Sequence, residues 1–161
     1  MTTYTERILG LLGQRNPVES LQQTTARIQE VAHKLGPAGL ARSYGPGKWT
    51  AAQVLAHLAD AEMVMGYRLR QALTVDDYVI QPFDQDLWAK KYEGVDAARA
   101  LATFAAVRQW NLALIQGLNP KELARPAYHP ERGPEGVGQI VKMLAGHDLN
   151  HLSQLEQLVA G

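Results

Sequence analysis

Apolar residues recur along this chain mostly at the three- and four-residue spacing of an α-helix, and hardly at all at the alternation of a strand. Asn16-Pro17 predicts a helix start, because Asn caps and Pro fits the first helical position; Leu21, Ile28, Val31 and Leu35 then form one apolar face, which Gly36 ends. A shorter helix is expected before it, around Thr5 to Leu12. Gly45-Pro46-Gly47 breaks the period and predicts a tight loop into Trp49-Thr50, where Thr50 and Gln53 match a capping box for a helix through about Leu73. From Thr74 to Phe83 the alternation is too brief and too acidic for a sheet, and Asp84 to Tyr92 reads as a short connecting helix. The alanine-rich run from about Asp96 to Leu118 predicts a helix with Leu101, Phe104, Ala105, Leu112 and Ile115 as its buried stripe, ended by Asn119-Pro120. Prolines and glycines fill 124–138, and a last helix follows from about Val137 to Val159, with Ile140, Leu144, His147, His151, Leu155 and Leu158 on its inward line. Four long amphipathic helices predict an all-α protein, a four-helix bundle with short connecting helices, in one domain spanning residues 1–161.

Composition narrows the chemistry. Sixteen basic and sixteen acidic side chains cancel, so net charge offers no phosphate-neutralising surface and no nucleic-acid partner is expected. No apolar run approaches the roughly 20 residues of a membrane span. The N-terminus lacks the pattern of a secretory signal, so no membrane partner and a cytoplasmic location are expected. Cysteine is absent, which removes thiolates and leaves histidine and carboxylate as the metal ligands available.

That makes the histidines informative. His147 and His151 are four apart in Leu144-Ala-Gly-His-Asp-Leu-Asn-His151, so they project from one face of the last helix, and that face is the apolar one. His57 sits on a different amphipathic helix and supplies a third imidazole if the two helices pack together. A histidine on an apolar face is more commonly a hydrogen-bonded core residue than a ligand, so the pair alone decides little. On the helical wheel, Asp60 and Gln154 each follow a site histidine by three residues and are the candidates to hold an imidazole or relay a proton. Glu62 and Asp148 are displaced by larger angles and read as pairing or capping groups. Trp49 and Trp110 read as packing residues, Arg68 as a snorkelling side chain far from the metal, and His129 as a surface-loop residue. Glu30-Val-Ala-His33 has the spacing used by di-iron bundles but no second copy, which leaves His33 as a surface residue near a helix end.

Two blocks carry a family resemblance: Gly47-Lys-Trp-Thr-Ala-Ala-Gln-Val-Leu-Ala-His57-Leu-Ala-Asp-Ala-Glu62 and Gly146-His147-Asp-Leu-Asn-His151-Leu-Ser-Gln-Leu. Together they resemble the DinB/YfiT-like superfamily, which is unrelated to the DNA polymerase sharing the DinB name. The resemblance implies a four-helix bundle that binds a divalent metal, commonly nickel or zinc, through His57, His147 and His151. It also implies a small-molecule substrate and a homodimer. For activity it implies first a transferase using a low-molecular-weight thiol as cosubstrate, since a cysteine-free chain can do thiol chemistry if a metal holds a thiol from outside. Metal-dependent hydrolysis is the alternative within enzymes. A non-catalytic, stress-related binding or scaffold protein is the alternative outside them.

Overall fold

The computed structural model describes residues 3–161. Four long helices, α2 (Pro17–Leu40), α3 (Ala51–Thr74), α5 (Ala97–Gln116) and α7 (Val137–Ala160), form the bundle. A short α1 (Tyr4–Leu12) lies across α7; α4 (Gln85–Ala89) and α6 (Pro120–Leu123) belong to the connections. α2 packs along α7 and α3 along α5, with further contacts between α3 and α7 and between α2 and α5. Around the bundle the order is therefore α2, α7, α3, α5, which places the His57 helix directly beside the helix of His147 and His151.

The helix starts follow the chemistry of their caps. The Asn16 side chain accepts the Val18 and Glu19 amides with Pro17 at the first helical position, and Thr50 and Gln53 form the reciprocal capping box. Thr3 with Glu6 and Asn119 with Glu122 form two more boxes; Asn119-Pro120 begins the single turn of α6, while α5 ends before it at Gln116 with Gly117 as its cap. Gly36 does break α2, with φ of 59°, but a last helical turn from Pro37 to Leu40 follows the kink.

Departures from the periodicity reading have identifiable causes. The buried line of α5 runs Ala100, Phe104, Ala105, Arg108, Asn111 and Ile115, while Leu101 and Leu112 are half-buried. Trp110 is 70% exposed rather than packed in the core. Arg108 and Asn111 take the inner places because their partners wait there. The guanidinium of Arg108 donates to Asp148 on α7 at 2.6 and 2.9 Å, to Glu62 on α3 at 2.6 Å, and to Thr25 on α2 at 3.0 Å. Asn111 donates to Glu62 at 2.8 Å, and Thr24 to Asp148 at 2.6 Å. One side chain of α5 thus bonds to each of the other three bundle helices. This polar layer separates two apolar clusters, one around Ile28, Leu55, Phe104 and Leu155, the other around Leu21, Leu69, Ile115 and Ile140.

A small antiparallel ladder, β1 (Tyr128–His129) with β2 (Gly133–Pro134), forms where no strand was expected. Tyr128 also bonds through its backbone to Tyr78 and Ile80, which ties the 124–136 connection to the 75–83 connection. Both segments lie at the same end of the bundle beside α3, and each satisfies backbone groups the other would leave bare.

Candidate metal centre

His57 projects from the second turn of α3 and His147 and His151 from successive turns of α7, into the seam between the two helices. Their Nε2 atoms converge: His147 lies 2.9 Å from His57 and 3.1 Å from His151, and the three ligand atoms fall within 4.8 Å of one another. Nitrogens held by one zinc at about 2.0–2.1 Å in tetrahedral geometry are ~3.3 Å apart. The cluster therefore has nearly the spread of a metal-bound set. His57 is 1% and His151 7% exposed.

Electrostatics keep these rings neutral. Burial, reinforced by the neighbouring His151, pushes the His57 pKa down to about 3. Burial lowers His147 well below its ordinary value, with the other two imidazoles and Arg108 adding to the shift. His151 is also lowered by burial, against the opposing pull of Gln154 and Asp148. Neutral imidazole is the metal-binding form. The amide oxygen of Gln154 lies 2.7 Å from His151 Nδ1 and accepts its proton, which leaves Nε2 as a lone pair aimed at the cluster. His57 Nδ1 is buried with no hydrogen-bond partner among the described residues, beside the Trp49 ring at 5.0 Å. Three neutral nitrogen donors, His57 and His151 buried and His147 half-buried, converge in a way that fits a divalent metal ion.

Asp60 takes a different place from the one the helical wheel suggested. Its carboxylate accepts the Tyr92 hydroxyl at 2.6 Å, adding to the burial that pushes the phenol pKa up, and makes no hydrogen bond to an imidazole. Trp49 is half-buried against His57 and Tyr92 and lines a cleft on the His151 side of the cluster. Glu62 and Asp148 are the carboxylates of the Arg108 layer, and His33 is exposed, both as their positions implied.

Beside His57 and His147 a cavity of about 220 Å³ opens, walled on its apolar side by Ala61, Met65, Phe83, Met143 and Leu144. Two of its residues correct the sequence reading. Arg68 is only 4% exposed and does not snorkel; it lines the cavity, stacked near Phe83 and donating to the Gln81 carbonyl at 2.8 Å. His129 is buried at 1% exposure, because strand alternation on β1 turns Tyr128 outward and His129 into the same cavity. The sequence signal for Arg68 was its register, since it continues the inner line of Leu58, Ala61 and Met65. For His129 there was none, because its burial depends on two connections meeting.

A four-helix bundle with a largely buried cluster of three histidines beside a small cavity defines the class. Within it, the chain belongs to the DinB superfamily, whose family model matches residues 20–155. A protein of Oceanobacillus iheyensis bearing the name "Putative metal-dependent hydrolase" is 33% identical over 89% of this chain and 82% of its own length. YfiT of Bacillus subtilis, named in the same way, is 28% identical over 88% of this chain and 81% of its own. The solved structure of Bacillus subtilis YfiT, described as a probable metal-dependent hydrolase with an unusual four-helix bundle topology, superposes with a TM-score of 0.82 at 22% identity. It covers 98% of this chain and 88% of that one, a likeness of fold. No helix among the described residues is long and apolar enough to cross a membrane.

Proposed function

We propose that this protein is a divalent-metal-dependent hydrolase of a small molecule, acting as one domain, with His57, His147 and His151 as the metal ligands. The observation that carries the reading is the convergence of three neutral imidazole nitrogens, contributed by adjacent helices, at the wall of a cavity. The names of the similar proteins support hydrolysis. A divalent ion on this cluster supplies a Lewis acid and lowers the pKa of water toward neutrality. The chain's own residues do the rest. Gln154 fixes the His151 ring and its tautomer; burial keeps the imidazoles unprotonated; Met65, Phe83, Met143 and Leu144 exclude water from the substrate's apolar part.

Thiol transfer remains as a second reading, compatible with a cysteine-free chain and favoured by a cavity lined with Met65 and Met143, whose soft, adaptable side chains suit a sulfur-bearing cosubstrate. One experiment separates the two. Protein reconstituted with zinc or nickel is assayed for 4-nitrophenyl acetate hydrolysis and, separately, for coupling of added cysteine to monobromobimane, each beside a His147→Ala variant. Metal-dependent ester hydrolysis lost in the variant supports the hydrolase; coupling lost in the variant without hydrolysis selects the transferase. Bound metal with neither activity favours a binding or scaffold protein. For assembly, a homodimer accords with the exposed Met63 and Tyr67, one turn apart on α3, and Trp110 on α5, and light scattering on the eluting protein tests it.

A further inference from the structure

The cavity beside the histidines contains a buried guanidinium, that of Arg68, which has no ion pair among the described residues and feels Glu135 and Glu131 only at longer range. Two other arginines of this interior, Arg108 and Arg132, have carboxylate partners, and half-buried Arg70 donates to the Gly66 carbonyl and the Asn111 amide oxygen. Arg108 is held by Glu62 and Asp148, and Arg132, also on the cavity wall, is paired with Glu135 through bonds of 2.6 and 2.7 Å. Arg68 differs. Its Nη2 donates to the neutral Gln81 carbonyl at 2.8 Å, Nη1 reaches only the Met65 sulfur at 3.7 Å, and Nε is buried with no partner. Among the described residues no carboxylate makes an ion pair with it; Glu131, the remaining acid on the cavity, is exposed and does not reach it. Burying an unpaired guanidinium is costly, so its retention in an apolar wall needs a reason.

A second donor faces the same space. His129 Nδ1 accepts the Glu131 amide at 3.2 Å, which places the ring proton on Nε2, and that N–H has no partner among the described residues. Between this polar end and the histidine cluster lie Ala61, Met65, Met143 and Leu144. The cavity is therefore apolar along its length, cationic and hydrogen-bond-donating at one end and reactive at the other.

We propose that Arg68, assisted by the His129 Nε2–H, anchors a carboxylate of the substrate, so that the protein acts on small amphipathic acids whose reacting group is directed to the His57–His147–His151 cluster. This rests on the metal-centre reading for the reacting end only. A planar guanidinium fork matches a carboxylate. The charge count favours a monoanion over a phosphate dianion, because Arg132 is already neutralised by Glu135 and Glu131 adds a negative charge at the rim.

The test is binding of hexanoate and of its neutral analogue 1-hexanol, by titration calorimetry, to zinc-loaded protein and to Arg68→Met, Arg68→Lys and His57→Ala variants of confirmed helical content. Wild-type protein is expected to bind hexanoate at least tenfold more tightly than 1-hexanol. Arg68→Met should erase that tenfold preference while leaving 1-hexanol binding unchanged, Arg68→Lys should restore part of it, and His57→Ala should keep it. Equal hexanoate affinity in wild type and Arg68→Met overturns the proposal, as does no hexanoate binding at all. A preference lost in His57→Ala but kept in Arg68→Met also overturns it, placing the carboxylate on the metal. Absence of metal-dependent 4-nitrophenyl acetate hydrolysis alongside Arg68-dependent hexanoate binding would count against the hydrolase reading and leave this subsite standing.

Discussion

At Gln154 a single amide decides which nitrogen of His151 is free. It accepts the Nδ1 proton at 2.7 Å and so commits Nε2 to the cluster. Leucine at this half-buried position retains the bulk and loses the acceptor. Gln154→Leu is therefore expected to weaken zinc affinity by about 10–100-fold, the usual cost of losing a partner that orients a ligand. Competition against a chromophoric chelator reads this directly, and unchanged affinity would mean that packing alone holds the ring. His57 gives a second residue-scale prediction, for the metal-free protein. Its folded pKa of about 3 lies below the ~6.5 of an unfolded histidine. Above pH ~6.5 neither state binds the proton and the group has no effect. As pH falls from there toward 3, the unfolded chain takes up a proton that the folded chain refuses, so stability declines by about 1.4 kcal/mol per pH unit from this group, with His147 and His151 acting in the same direction. Urea midpoints of wild type and His57→Ala at pH 7, 6 and 5 should converge as the acid side is approached; parallel curves would contradict the shift.

Between elements, the polar layer and one close helix crossing carry the predictions. Arg108→Leu leaves Glu62 and Asp148 buried without their cation and is expected to cost about 3–5 kcal/mol in urea unfolding. Replacing all three charged groups by apolar residues together should recover much of that loss, since breaking a buried pair costs more than removing it. Gly146 lets α1 approach α7 so closely that a Cβ would collide with the Ile8 carbonyl oxygen, and the backbone there cannot swing away as a side chain can. Gly146→Ala is expected to lift α1 and lower stability by roughly 1–3 kcal/mol, with faster amide exchange over 4–12 as the local readout. These same places show what a sequence does and does not disclose. Helix starts were legible at Asn16 and Thr50 because caps are local chemistry, and His147 and His151 were legible as a pair because helical spacing is local too. Arg108 was not, because the partners that draw it inward come from three other helices. His129 and the 128–134 ladder escaped for a similar reason: a two-residue strand has almost no period, and its burial is decided by the 75–83 segment lying across it. Asp60 illustrates the opposite error, in which a helical-wheel neighbour of His57 was claimed instead by Tyr92 from another connection.

In the whole molecule, the histidine cluster joins α3 to α7, neighbours whose direct packing is lighter than that of α3 on α5 or α2 on α7. A divalent ion held there would fasten a seam that side-chain packing closes less fully. An ion that binds the folded chain and not the unfolded one stabilises by about 2.7 kcal/mol at a free concentration 100 times its Kd. For a chain of 161 residues that amounts to a rise in Tm of roughly 5–10 °C. The rise should depend on zinc or nickel concentration, disappear in His151→Ala, and be matched by slower amide exchange along the facing turns of α3 and α7, with little change in α5. Calcium or magnesium should produce none of it, because three neutral imidazoles offer no oxygen ligands. A rise of the same size in wild type and His151→Ala would locate metal binding elsewhere on the surface. A rise without protection at the α3–α7 seam would mean that the ion is not held between those helices, and either result would remove the basis for placing the chemistry at that wall of the cavity.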